Sequence, residues 1–185
     1  MKLRQGFTLI ESIIAIIVLA IAMLTITTML IPNVQRSADP QYQVRAAALA
    51  ETIFSQILSR SFDHNSDHQG GFYRCGETSY VDDSGNPILC TPESAFGPEE
   101  AEQPSDYNDV DDYSDSNGVA ATYALSPTAN QRDLNQLIDG TADYANFLVD
   151  ITVTYEEIDV VKKIVLSISA GSHGPYSFTA YKGNY

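Results

Sequence analysis

GFTLIESIIAIIVLAIAMLTITTMLIP, residues 6–32, decides how the rest of the chain is read. From Phe7 to Ile31 there are 25 residues, and Glu11 is the one charged side chain among them. Thr8, Ser12, Thr25, Thr27 and Thr28 are the other polar positions. As a helix the stretch spans about 37 Å, enough to cross a bilayer. Lys2 and Arg4 precede it, and the positive-inside rule keeps them cytoplasmic while the remainder of the chain is sent outward. A carboxylate in hydrocarbon costs about 2.5–3.5 kcal/mol on insertion scales, so Glu11 needs a reason to be there.

Three readings compete. A secretory signal would be cut after Ala20-Ile21-Ala22. That leaves the apolar Met23–Ile31 as a new N-terminus and gives Glu11 no role. A plain uncleaved anchor gives it none either. Cleavage between Gly6 and Phe7, on the cytoplasmic side, frees an α-amino group four residues from Glu11. In an assembly of staggered parallel helices, Glu11 of one subunit then meets the terminal ammonium of the next. The buried charge acquires the partner that buried charges require.

Gly6-Phe7-Thr8-Leu9-Ile10-Glu11 with the following apolar run resembles the class III signal and methylation motif of type IV prepilins and of the pseudopilins of type II secretion. The resemblance implies that a prepilin peptidase cuts after Gly6 and methylates the new terminus at Phe7. It implies that Glu11 guides the subunit into a helical filament, with other pilin subunits and the inner-membrane assembly machinery as partners. Loss of Lys2 and Arg4 with the leader takes the side-chain balance from −14 to −16.

The composition agrees with an exported structural protein. There are 24 acidic against 10 basic side chains, which argues against nucleic-acid binding, since that relies on Lys and Arg at phosphates. The balance suits a solvated exterior or a divalent-cation site. Cys75 and Cys90 are the two cysteines, set among Gly, Pro, Asp and Ser. In an exported chain such a pair closes a loop by one disulfide, worth ~3 kcal/mol in the chain-entropy picture. In a cytosolic one it would be two free thiols.

Pro32 ends the apolar run and is expected to kink or break the helix. Asp39-Pro40 offers an N-cap followed by proline at the first helical position. Tyr42, Ala46, Leu49, Ile53 and Ile57 then recur at helical spacing, opposite Gln41, Gln43, Arg45, Glu51 and Gln56, which predicts an amphipathic helix seeking a sheet. Phe62 is placed near its end. Residues 63–118 are rich in turn residues and lack periodicity, and Cys75–Cys90 is the expected staple. Val119–Leu125, Phe147–Tyr155, Val161–Ser169 and Tyr176–Tyr181 read as strands, the second alternating and β-branched. Glu156–Asp159 reads as a turn, with Ile164, Leu166 and Ile168 on one face of the following strand. Asp133–Ile138 reads as a short helical turn.

The expected fold is therefore α+β and pilin-like. Its parts are a leader (residues 1–6), a transmembrane assembly helix (7–31), an amphipathic helix (32–62), a stapled loop region (63–118) and an antiparallel sheet (119–185). The C-terminal half also resembles the minor pilin-like proteins of mannose-sensitive haemagglutinin pili. The stretches that carry this are Phe62–Asp67, Arg74–Thr78, Asp109–Tyr113 and Thr179–Tyr185. The cysteine pair lies mid-chain rather than near the C-terminus as in the commonest pilins, so no C-terminal receptor loop is carried over. Type II pseudopilins share the N-terminal motif, and a tip adhesin or a membrane-anchored periplasmic domain are the rivals from other classes. The expected location is the inner membrane, single-pass with the head outside the cytoplasm, and then the filament or its tip.

Asp106, Asp109, Asp111, Asp112 and Asp115 fall within ten residues. Clustered carboxylates repel unless solvated or bridged, and Ca²⁺ takes six to eight oxygens. Asp109, Asp111, Asp112 and Asp115 are the candidate ligands, against the plainer reading of a solvated acidic loop. The stretch is no EF-hand. Asp63, Asn65 and Asp67 share the alternate spacing of a Ca²⁺ loop, but His68 and Arg74 occupy the positions that need Gly and Glu. His64 and His68 lie at i, i+4 without the glutamate of a zinc protease motif. Ser172-His173 lies in a turn and lacks a nucleophile elbow. With no phosphate loop or dinucleotide fingerprint, the chain reads as the substrate of an enzyme rather than as one.

Overall fold

The computed structural model describes residues 8–67, 73–100, 102–138 and 144–185. One helix, α1, runs Leu9–Leu58. It continues through both prolines, so Asp39-Pro40 is not a helix start. Each proline removes one backbone bond, and the turns to either side retain theirs. Two compact units divide the chain, residues 1–41 and 42–185. In the first, Leu9–Met29 is a 21-residue apolar span of mean hydropathy 2.7.

The second unit holds the head. Ala46, Leu49, Ala50, Ile53 and Ile57 of α1 are buried, which is the face that the helical spacing marks out. The helix stops at Leu58, four residues before Phe62. There the Lys182 Nζ donates to the Leu58 carbonyl (3.0 Å), a cation at the negative end of the helix.

The strands are β1 (Ala121–Ala124), β2 (Arg132–Asp133), β3 (Phe147–Glu157), β4 (Val161–Ala170) and β5 (His173–Gly183). They form one sheet in the order β2-β1-β3-β4-β5. Every pairing is antiparallel except β1 with β2. Val149, Ile151 and Val153 of β3 and Ile164, Leu166 and Ile168 of β4 alternate into the same core as the α1 stripe. The β3–β4 turn carries Asp159 at φ 61°, a left-handed position that Asp tolerates better than most residues. Asp133–Ile138 is split: Arg132–Asp133 pairs as the edge strand β2, and a 3₁₀ turn follows at Leu134–Gln136.

The region between α1 and β1 is irregular, with 3₁₀ turns at Glu93–Ala95, Asp111–Tyr113 and Ser116–Gly118. It is packed nonetheless: Phe96, Tyr107, Val110 and Tyr113 join the main core. Cys75 and Cys90 form a disulfide 15 residues apart in sequence. Asn184 Nδ2 donates to the carbonyls of Cys75 (3.1 Å) and Asp159 (2.9 Å), tying the C-terminus and the β3–β4 turn to the stapled loop. The fold is the α+β, pilin-like arrangement of a long N-terminal helix and an antiparallel sheet.

Candidate functional site

The first site is the start of α1. Gly6 and Phe7 lie outside the described residues. Thr8 caps the helix: its Oγ1 accepts from the Glu11 N–H (3.4 Å), and its carbonyl accepts from Glu11 (3.1 Å) and Ser12 (3.2 Å). Thr8-Leu9-Ile10-Glu11 thus has the residue pattern of a capping box, a signal present in the sequence spacing. Glu11 also stands in the first turn, where a carboxylate complements the helix dipole. The polar residues further along turn inward on the helix. Thr25 donates to Ala22 O (2.8 Å), Thr27 to Met23 O (2.8 Å) and Thr28 to Thr25 O (3.0 Å). Their hydroxyls need no water, which suits hydrocarbon.

Between them, Leu9, Ile10, Ile13, Ile14, Ile16, Ile17 and their successors to Met29 are exposed. An apolar surface of that length calls for lipid or neighbouring helices. Residues 1–27 match the prokaryotic N-terminal methylation motif. This supports a type IV pilin or pseudopilin. The prepilin motif implies processing by prepilin peptidase and assembly with other pilin subunits, and the apolar helix is consistent with membrane anchoring. No curated protein and no solved structure matches the chain.

In the pilin-like head, buried ionisable groups gather around Lys162. Lys162 is 0% exposed. It sits two residues before Ile164 on the inward face of β4, so strand parity drives its side chain into the core. Its Nζ donates to Phe62 O (2.7 Å) and Asp63 Oδ2 (3.2 Å), and to Asp111 Oδ1. It also lies 4.7 Å from the Phe62 ring centroid and 4.8 Å from that of Phe96. Asp63 is further fixed by the Thr91 N–H (2.9 Å) and hydroxyl (3.2 Å) and by the Asn65 N–H (3.0 Å). Asn65 Nδ2 itself donates to Leu89 O (3.2 Å). Asp63 and Asn65 are therefore parts of a loop clamp, and the Asp67 N–H donates to Tyr73 O (3.0 Å). His68 lies outside the described residues. His173 stacks on Tyr42 with ring centroids 4.1 Å apart, which gives it a packing role.

The four candidate Ca²⁺ ligands do not meet at one point. Asp111 faces Lys162. Asp115 pairs with Arg132 at 2.5 Å, and the same guanidinium donates to the carbonyls of Asp112 (2.6 Å) and Ser114 (3.1 Å). Asp109 and Asp112 are left together, both fully buried. They cap each other's backbone. Asp109 Oδ1 accepts from the N–H of Asp111 (2.9 Å) and Asp112 (3.3 Å), while Asp112 Oδ2 accepts from Asn108 (2.9 Å) and Asp109 (3.1 Å). The tight turn at Asp111–Tyr113 sends successive side chains in different directions, a separation that spacing alone does not show.

The groups that do converge come from three stretches of loop. Glu99, Glu102 and Asp112 place carboxylate oxygens within 4.8 Å of one another, and so do His64, Glu99 and Asp109 with a ring nitrogen and two carboxylates. Burial pushes the Asp109 carboxyl up to about 9, helped by the neighbouring charges of Asp111 and Asp112. Burial raises Asp112 to about 7 even though two backbone N–H groups favour its ionised form. Glu102 is raised by burial and by Glu99.

A pH dependence follows. Both aspartates titrate above their unfolded-state values, so between about pH 4 and the two folded-state values the folded head holds more protons than the unfolded chain. Their contribution is full below about pH 4 and is lost as pH rises through about 7 and about 9. In chelator, the denaturation midpoint is expected to be higher near pH 5 than near pH 8. A midpoint that rises over that interval would refute the assignment.

Proposed function

We propose that this chain is a minor, structural subunit of a type IV pilus of the mannose-sensitive haemagglutinin kind, processed by prepilin peptidase and assembled through its N-terminal helix. It is the substrate of an enzyme and performs no catalysis itself. The observation that carries the reading is the methylation motif over residues 1–27 at the head of an exposed apolar helix. The head lends support. All four stretches that resemble the haemagglutinin-pilus proteins take part in these contacts: Asp63 and Asp111 share Lys162, the Cys75 N–H donates to Ser66 Oγ, and Asn184 Nδ2 donates to the Cys75 carbonyl. Such a network holds the outward surface of the subunit in one shape, as packing between neighbours requires.

The runner-up is a minor pseudopilin of type II secretion. Deletion of the gene separates them: loss or shortening of pili with secretion intact supports the pilus reading, and retained pili with lost exoenzyme secretion replaces it. A tip adhesin is a rival of another class. A cleft of about 450 Å³ lined by Tyr42, Gln131, Asn146, Phe147 and His173 is its best support. Normal pili that fail to adhere in the deletion strain would favour it.

A further inference from the structure

We propose that Lys162 and Asp111 condense within the folded head to an isopeptide bond, Nζ to Cγ, with Asp109 as the acid that assists. The ion pair between them is the state before condensation. Lys162, Asp109 and Asp111 are all buried, and a lysine ammonium is almost never fully buried without a partner. The rings of Phe62, Phe96 and Tyr155 surround Nζ, with centroids 4.7, 4.8 and 5.6 Å away. They exclude the water that would solvate the charges and compete with an amine nucleophile.

The contacts of Nζ select its partner. Its three N–H bonds meet three acceptors: Phe62 O (2.7 Å), Asp63 Oδ2 (3.2 Å) and Asp111 Oδ1. A proton passed to a carboxylate leaves a lone pair pointing at that group. Asp63 is an anchor, held by the N–H groups of Asn65 and Thr91 and by the Thr91 hydroxyl. Burial raises the Asp111 carboxyl above its ordinary value, so Asp111 takes the proton. Its Cγ lies one bond beyond the oxygen that Nζ touches, at about the ~3–3.5 Å of a near-attack arrangement.

Asp109 supplies the acid. Its Oδ1 accepts from the Asp111 and Asp112 N–H groups, while its Oδ2 is buried and meets no donor. A carboxyl pushed up to about 9 carries its proton at neutral pH, and a protonated Oδ2 donates rather than accepts. Its side chain interacts with that of Asp111.

The ammonium passes one proton to Asp111, giving an amine and a carboxylic acid. The Nζ lone pair adds to Cγ as Asp109 gives its proton to a carboxyl oxygen of Asp111. The Cγ–Oδ bond then breaks, one water leaves, and Asp109 recovers a proton from Nζ. Two of the three ammonium hydrogens depart with the water, and the third stays on the amide. One positive and one negative charge disappear from apolar surroundings where both are costly. The bond ties β4 to the turn at Asp111–Tyr113 across 51 residues, so this turn stays on the sheet independently of the disulfide.

The test uses the full chain extracted from membranes in detergent, then denatured, reduced and alkylated. Neither Lys nor Arg lies between Cys75 and Gln131 or between Asp133 and Val161, so trypsin frees residues 75–132 and 133–162 as separate peptides from an unlinked chain. An acylated Lys162 resists the enzyme. Residues 75–132 and 133–163 should then appear as one species with two N-termini, Cys75 and Asp133, one water lighter than the two peptides together. Fragmentation should place the link at Asp111. Asp109→Asn should keep its circular dichroism and disulfide, yet form the bond about a hundredfold more slowly when both chains are followed from synthesis by pulse-labelling. The parent digest decides the bond whether or not that variant folds. Separate peptides from the parent chain, or a link at Asp63, overturn the proposal, and linkage of Asp109→Asn at the parental rate overturns the role of Asp109.

Discussion

Replacing Glu11 with alanine is expected to leave cleavage at Gly6–Phe7 intact and to cut incorporation into filaments by about a hundredfold. The magnitude comes from the ammonium on Phe7. Without a carboxylate from the neighbouring helix it sits in an apolar bundle at an uncompensated cost of about 2.5–3.5 kcal/mol, and every 1.4 kcal/mol is about tenfold. The structure adds a control. Because Thr8 and Glu11 have the capping-box pattern, alanine removes both a local cap and a charge. Glutamine keeps the capping capacity and loses only the charge. Glu11→Gln should therefore form the helix normally and still fail to assemble, as judged by immunoblotting of sheared filaments against the membrane fraction. Normal incorporation of the glutamine variant would assign Glu11 to capping and remove the intersubunit pairing.

The second large effect lies in the head. Lys162→Met is expected to destabilise it by about 3–5 kcal/mol, the usual result of removing one member of a buried ion pair. Methionine fills a similar volume beside Phe62 and Phe96, so the loss reports charge rather than a cavity. Asp63 and Asp111 would remain buried with no counterion. Adding Asp63→Asn and Asp111→Asn to Lys162→Met should recover part of the loss. The chain has no tryptophan, so the transition is best followed by tyrosine circular dichroism in a denaturant series. A Lys162→Met head as stable as the parent would show that the pair contributes nothing net.

Much of the architecture was legible because it rests on periodicity. The Ala46-Leu49-Ile53-Ile57 stripe marked the buried face of the helix, and the alternation at Phe147–Tyr155 marked β3. What escaped has physical reasons. The edge strand Arg132–Asp133 is two residues long, too short to show a period. Lys162 reads as polar in isolation, yet it shares parity with Ile164, Leu166 and Ile168, and that signal was present in the spacing. The helix runs on through Pro32 and Pro40, where local signals favoured a stop and a new cap.

The acidic loop is the sharpest case. Asp109, Asp111, Asp112 and Asp115 look equivalent as letters, but a tight turn distributes them among a lysine, an arginine and a shared carboxylate cluster. The partners that complete that cluster, Glu99 and Glu102, lie about ten residues earlier in sequence. No local motif ties them to it; only the folded loop does.

The central claim is that this chain is a prepilin whose mature form begins at Phe7. Intact-mass measurement with N-terminal sequencing of the protein isolated from membranes or filaments tests it most directly. Loss of Met1–Gly6 and an N-methylated phenylalanine as the first residue are the expected result. A chain that still begins at Met1, or one cut after Ala22, would contradict it.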